Sequence, residues 1–378
     1  MNLSVINGFL IFAIIQSLVL AGLFSSKNKR NSADLIMTIW LSFFAVHSFL
    51  ILLNLNLEGQ ILFKVLPTNI PLLYGPFLFL YICVKSRKTQ KQEVIDIIHF
   101  IPFVALAFLS VFLYQSVWFQ KILAISGVIS GMAYCVLSLL QLKKHNDVII
   151  EQFSYIEKIN LAWISRLVKV LVVIWFVVIV AVILNRFFNI YLPLNVFFLC
   201  IPLFVSYLAY HGFKQQVIFS QMLDDSEDLK TNKIGENKIK SNDLPEQDQL
   251  KTYLKSGLNT EKMKAIHASL QNAMMSKELY LKANLSLAEL SSELNIPQHH
   301  ITQTLNTHVH KSFYDYINSF RVEAFKKRIK NGDAENFSLL GIALDCGFNS
   351  KSTFNRIFKK DTGISPSEFK KEQVLSRY

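Results

Sequence analysis

Near the C-terminus of this 378-residue chain, Ser352, Asn355, Arg356 and Lys359 recur at spacings of three and four, with Lys351 and Lys360 beside them. Spaced this way on a helix, they share one face. Their side chains offer a hydroxyl, an amide, a guanidinium fork and ammonium groups, which is equipment for hydrogen bonding rather than for nucleophilic attack. Phe354, Ile357 and Phe358 turn the other way. An apolar inner face with a cationic, amide-bearing outer face suits a helix lying in a DNA major groove. A second row of the same kind lies upstream. There His299, Thr302, Gln303 and Asn306 face outward while Ile301 and Leu305 face inward.

The elements that must hold these rows can be read from Ser338 to Phe369. Leu339, Ile342, Ala343 and Cys346 form the apolar face of a first helix. Gly347 supplies a turn that a residue with Cβ resists, and Phe348 can plug the angle between two helices. Ser350 is placed to cap the next helix, and Gly363 ends it. Ser365-Pro366-Ser367-Glu368 then has capping-box spacing, with Pro at the first helical position. The unit occurs twice. Ser286 to Glu289 is another capping box, opening a helix with Leu287, Leu290 and Leu294 on one face, and Asn295-Ile296-Pro297 is its turn. A predicted linker helix, 312–330, separates the two units and ends at Asn331-Gly332. Its 19 residues span about 28 Å. Two recognition helices reading successive major grooves sit about 34 Å apart, so the length is apt.

The order Ile342-Ala343, Gly347-Phe348, Ser350, Phe354, Phe358-Lys359, Gly363 and Ser365-Pro366 resembles the second helix-turn-helix of the AraC family of bacterial transcription regulators. Tyr316, Arg321 and Ala324 resemble the pattern of that family's linker helix. The resemblance covers roughly residues 265 to 372. It implies double-stranded promoter DNA and RNA polymerase as partners. By motif position it implies groove contacts from His299, Thr302, Gln303, Lys351, Ser352, Asn355 and Arg356, with Asn306 on the same face. Arg356 is the expected guanine contact, and Lys359 and Lys360 are expected to meet phosphate. One departure stands out. Pro297 occupies the place where the family usually has a capping Ser, so that hydroxyl cap is missing.

The net charge of +12 does not by itself argue for nucleic acid. Residues 1–216 hold 16 Lys/Arg and 7 Asp/Glu, whereas residues 285–378 hold 13 and 10, so most of the excess lies in the hydrophobic half. Cys83, Cys135, Cys200 and Cys346 show no metal or redox spacing and read as small buried hydrophobes. His299, His300, His308 and His310 cluster, but no Cys or carboxylate completes a metal site at a known spacing. No HExxH, GxSxG, Walker loop or GxGxxG is present, and neither an enzyme nor a cofactor is expected.

A hydrophobic fraction of 52% is high for a soluble protein and is concentrated in seven apolar runs. These are about 3–24, 33–57, 61–84, 97–115, 118–142, 167–187 and 190–211, each near the ~20 residues that cross a bilayer. Lys64, Pro67 and Asn69 interrupt the start of the third. The first run has its charges behind it, at Lys27, Lys29 and Arg30, unlike a secretory signal. Connections after the first, third and fifth runs hold eleven Lys/Arg against three on the opposite side, which places the C-terminus in the cytoplasm and the N-terminus outside. Connections on the outer side are short, so the expected signal is a small or lipid-soluble molecule entering the bundle, or another membrane protein. No soluble sugar-binding domain of the kind common in the AraC family precedes the DNA half.

Polar residues inside the runs are either ligand contacts or interhelical hydrogen bonds. They are His47, Asn54, Asn185 and Asn195. Gly127 and Gly131 have GxxxG spacing, a signal for close helix contact within a chain or in a homodimer. The stretch from Lys143 to Arg166 carries Ile149, Phe153, Ile156 and Ile159 near helical spacing. It reads as an interfacial helix or an extension of its neighbours, or else as a relay from the bundle to the tail.

The expected protein is all-α. A seven-span membrane sensor domain occupies 1–213, a flexible cytoplasmic linker 214–249 and connecting helices 250–284. An AraC-type DNA-binding domain follows over 285–372, with helix-turn-helix units at about 286–307 and 338–361. The expected function is a transcription regulator embedded in the bacterial cytoplasmic membrane. The alternative is a transporter-like or receptor bundle whose tail holds a protein partner.

Overall fold

The computed structural model describes residues 3–28, 31–57, 61–86, 94–156, 159–188, 202–213 and 258–375. The expected linker 214–249 lies outside them. The chain divides into two compact units: Met1–His145 with Leu161–Met222, and Asn146–Asn160 with Leu223–Tyr378. Among the described residues the elements are helical, and the one β-type pairing is an isolated bridge.

The first unit holds α1 (Leu3–Ser25), α2 (Ser32–Asn56), α3 (Ile61–Asn69), α4 (Pro71–Ser86), α5 (Ile101–Leu113), most of α6 (Val117–Gln152) and α7 (Ala162–Phe188). Residues 202–213 are also helical. α2 opens with a capping box in which Asn31 and Asp34 exchange side-chain-to-backbone bonds, and Lys27 pairs with Asp34 at 3.3 Å. The core is aromatic and aliphatic, with Trp40, Leu41 and Phe44 of α2 packed with Phe77 and Tyr81 of α4 and Ile164 of α7. Gly131 lets α6 approach α7, because a Cβ there would lie 2.2 Å from the Trp175 ring; nothing lies within 4 Å of a Cβ at Gly127.

Five stretches are long and apolar enough to cross a membrane: Leu3–Ser25, Ser32–Asn56, Asp96–Leu113, Val117–Gln152 and Ala162–Ala181. Their outward surfaces are apolar as well. Ile15 (57%), Phe112 (70%) and Trp118 (75%) are open to the surroundings, as are Ile125, Ile129, Val173 and Phe176. An apolar exterior of that extent suits lipid and not water.

The expected count of seven spans is not established. The third run is not one helix, since α3 carries Pro67 inside it and ends at Asn69, and α4 has only 16 residues. Proline removes a backbone donor and fixes φ, so Pro67 weakens α3 and Pro71 starts a new helix instead of continuing the old one. The start of the seventh run, through residue 201, lies outside the described residues.

The second unit holds α8 (Thr260–Ser276), α9 (Leu287–Leu294), α10 (Gln298–Thr304), α11 (Phe313–Lys330), α12 (Leu339–Asp345), α13 (Lys351–Thr362) and α14 (Pro366–Leu375). α8, capped by Asn259, is the described part of the expected connecting helices. Two apolar clusters form around the two helix-turn-helix units. Leu270, Leu287, Leu290, Ile301, Leu305, Phe313 and Ile317 make the first. Val322, Phe325, Ile342, Ala343, Phe348, Phe354 and Phe358 make the second. α11 serves both: Phe313, Tyr316 and Ile317 enter the first core, and Tyr314, Val322, Phe325 and Ile329 the second, so it is apolar on more than one face.

Arg321 of α11 ties the clusters together and is 1% exposed. Its Nε donates to the Tyr280 carbonyl at 2.7 Å. Nη2 donates to the Lys282 carbonyl at 2.8 Å and to Ser154 Oγ at 3.1 Å. Nη1 donates to the Ser154 carbonyl and to Asn318 Oδ1, each at 3.1 Å. Burial pulls the guanidinium down to about 10, so it remains charged at neutral pH. Gly347 sits against this network with φ +90°, and a Cβ there would lie 2.5 Å from the Tyr280 carbonyl oxygen and 3.0 Å from Arg321 Nε.

Two substitutions test this junction. Gly347→Val combines a left-handed φ with a clash against backbone, and is expected to destabilise the second unit by on the order of 3 kcal/mol. Arg321→Met strips a donor from buried carbonyls and is expected to cost a similar amount, about 3 kcal/mol. Denaturant unfolding of the full chain in detergent measures both. The double variant should lose less than the sum, because each change breaks the same network; strict additivity would show that Gly347 and Arg321 act apart.

Candidate nucleic-acid interface

The downstream recognition helix is assembled as its sequence requires. Ser350 caps α13 by accepting from the Thr353 amide at 3.2 Å. Gly363 ends it with φ +81°. Ser365 and Glu368 then exchange bonds at 3.2 and 2.7 Å to open α14. Phe354, Ile357 and Phe358 are buried. Lys351, Ser352, Asn355, Arg356, Lys359 and Lys360 are all exposed on the opposite side.

Arg356 is held rather than loose. Its Nη2 donates to the Tyr314 hydroxyl at 2.7 Å, and its guanidinium lies 5.9 Å from the Tyr314 ring centroid. Lys360 pairs with Asp315 at 2.8 Å. Tyr314 and Asp315 open the linker helix α11, so that helix also sets the side chains of α13. Sequence reading missed both. Tyr314 lies 42 positions from Arg356, and no local periodicity links them.

The upstream recognition helix, α10, begins at Pro297 without a side-chain cap, as the missing Ser implied. It ends in a π turn, Leu305–Val309, closed by His310 at φ +56°. Ile301 and Leu305 are buried as expected. His299 is exposed, and Thr302 and Asn306 are half-buried. Gln303 corrects the sequence reading: it is 5% exposed, not open. Helical period turns it away from the Ile301–Leu305 core, so its burial reports protein on the outer side. Asn306, three residues on and on the same face, donates to Glu151 Oε2 at 3.3 Å.

Of the polar residues expected as ligand contacts in the first unit, the structure describes the side chains of His47 and Asn54. His47 is buried, with Nδ1 against the Tyr74 hydroxyl, an interhelical bond between α2 and α4. Asn54 is exposed on α2. The side chain of Asn185, and Asn195 altogether, lie outside the described residues. A feature not legible in the sequence is an apolar cavity of about 250 Å³ among α2, α4, α6 and α7. Trp40, Phe44, Tyr74, Tyr134, Trp175 and Phe204 line it.

Comparison with known proteins bears on the C-terminal part. Residues 290–372 match a family described as a helix-turn-helix domain. A stretch of 93 residues, 25% of this chain, is 29% identical to an uncharacterized HTH-type transcriptional regulator of Staphylococcus aureus (strain COL). That stretch covers only 12% of the relative's length. No solved structure matches the chain. The match runs from within α9 through α10, the linker helix and the second helix pair, and the C-terminal region is therefore a helix-turn-helix domain, of the kind that binds DNA.

Proposed function

We propose that the protein is a membrane-embedded transcription regulator whose C-terminal domain reads promoter DNA and whose N-terminal bundle senses a lipid-soluble signal. One observation carries the DNA-reading half. α13 presents Lys351, Ser352, Asn355, Arg356, Lys359 and Lys360 on one exposed face, fixed by a cap at each end. The similarity to an HTH-type transcriptional regulator supports the same reading. RNA polymerase and a second copy of the chain are further partners on this reading.

The sensing half rests on the apolar exterior of the first unit and on its cavity. A cavity of about 250 Å³ walled by aromatic rings exceeds the roughly 150 Å³ that accepts benzene in an engineered protein core. It suits a compact apolar molecule arriving from the bilayer. In this reading His47, Asn54, Asn185 and Asn195 are secondary, because the cavity wall is aromatic. The bundle crosses the cytoplasmic membrane with its N-terminus outside and its C-terminus in the cytoplasm, supported by the excess of Lys/Arg on alternate connections.

Reporter fusions after Phe24 and after Tyr210 should both report cytoplasm, and one near Glu58 the outside. A C-terminus outside the cytoplasm would sink the regulator reading, since the tail could not meet DNA.

Arg356 and Lys359 should separate base reading from phosphate binding. Tyr314 pre-positions the planar fork of Arg356, which can donate twice to the guanine O6 and N7 edge. Arg356→Ala should cost about 1–3 kcal/mol on the cognate site and relax preference at one base pair. Lys359→Ala should weaken cognate and scrambled duplexes alike and make the salt slope shallower by about one unit. Titrations at several salt concentrations measure both. Equal loss on both duplexes for Arg356→Ala would make it a phosphate contact.

A further inference from the structure

Residues 146–160 lie between α6 and α7 in the chain, yet they belong to the second unit. They dock there through specific bonds. Phe153 forms the isolated antiparallel bridge with Ser286, the residue that caps α9. The Ser154 amide and hydroxyl both donate to the Leu285 carbonyl, at 3.1 and 2.7 Å. The Ser154 carbonyl in turn accepts from Arg321 Nη1 and from Asn318 Nδ2, each at 3.1 Å. Ile150 and Ile156 pack on the second apolar cluster. Ser154, Tyr155 and Ile156 line a small cleft with Phe348, Asn349 and Thr353, where Thr353 lies in the first turn of α13.

The segment therefore touches the first helix-turn-helix, the linker helix and the second helix-turn-helix at once. At its helical end, Glu151 reaches Asn306 on the outward side of the upstream recognition helix, where Gln303 is already buried. Asp147 lies one turn earlier on α6, on the same helix face as Glu151. Two carboxylates next to a groove-reading face oppose phosphate, and the docked chain fills space that a duplex needs.

We infer that residues 146–156 are an intrachain shield, seated between the two helix-turn-helix units and competing with double-stranded DNA for the upstream recognition face. This inference rests on the DNA-binding reading above.

The test uses the full chain in phospholipid nanodiscs and a labelled random-sequence duplex of about 30 base pairs, long enough for two successive grooves. Random sequence suffices because the shield opposes the sequence-independent phosphate term. Glu151→Gln combined with Asp147→Asn keeps shape and hydrogen-bonding capacity while removing both charges, and should tighten binding about threefold. Ile156→Ser, which loosens the apolar anchor, should tighten it about tenfold and steepen the salt dependence. Hydrogen exchange on the wild-type chain gives a readout without any variant: the Ser154 amide should exchange faster once duplex is added. Unchanged or weaker binding in the variants, or a Ser154 amide equally or better protected with DNA bound, overturns the shield. Failure of wild type and variants alike to bind duplex at low salt would instead sink the DNA-binding reading itself.

Discussion

A single buried guanidinium holds the second unit together. Arg321 takes a positive charge out of water, which is unfavourable by several kcal/mol unless the charge is fully hydrogen-bonded. The compensation comes from carbonyls of the 280–282 turn, the Asn318 side chain and Ser154. Those groups come from the approach to the first helix-turn-helix, from the linker helix and from the 146–160 segment. Gly347, in the turn of the second helix-turn-helix, must lack a Cβ because the same carbonyls pass beneath it. Charge-assisted bonds of this kind are directional, so Arg321 fixes the register between the two helix-turn-helix units that the apolar clusters pack.

The linker helix follows from that arrangement. A helix serving one core would show a single apolar stripe. α11 instead places Phe313 and Ile317 in one cluster and Phe325 and Ile329 in the other, with Arg321 between. Its first turn reaches further, since Tyr314 and Asp315 engage Arg356 and Lys360 on the exposed face of α13. One element thus spaces the two recognition helices, joins their cores and orients the side chains of the downstream one.

The first unit obeys a different solvent rule. Its packed interior is aromatic, yet its exterior is also apolar, a pattern that suits a lipid surrounding. Its cavity survives because bulky rings from α2, α4, α6 and α7 meet over glycines at 75 and 131, where a Cβ would collide with Tyr134 or Trp175. Stiff, large rings stacked over bare backbone leave space that smaller, flexible side chains would fill.

Local sequence determined whatever depends on a few neighbouring residues. The caps at Ser286 and Ser350, the stop at Gly363, the absent cap at Pro297, the split faces of α13 and the extent of α11 are all set by local spacing. So is the presence of long apolar helices, because hydropathy is a sum along the chain. Tertiary structure decided what depends on distant partners. Gln303 lies on the outward side by helical period, yet it is buried, because contact from another part of the chain overrides an amphipathic pattern. Pairing of Arg356 with Tyr314, and of Arg321 with Ser154 across 167 positions, leaves no periodic trace. The stretch from Lys143 to Arg166 reads in sequence as an interfacial helix or a helix extension ahead of a relay, since Ile149, Phe153 and Ile156 fit any apolar surface. Only the fold selects that surface: helix continues to Gln152, and the chain then extends along Leu285 and Ser286, where Ser154 finds the acceptor and donors that its sequence neighbours do not provide.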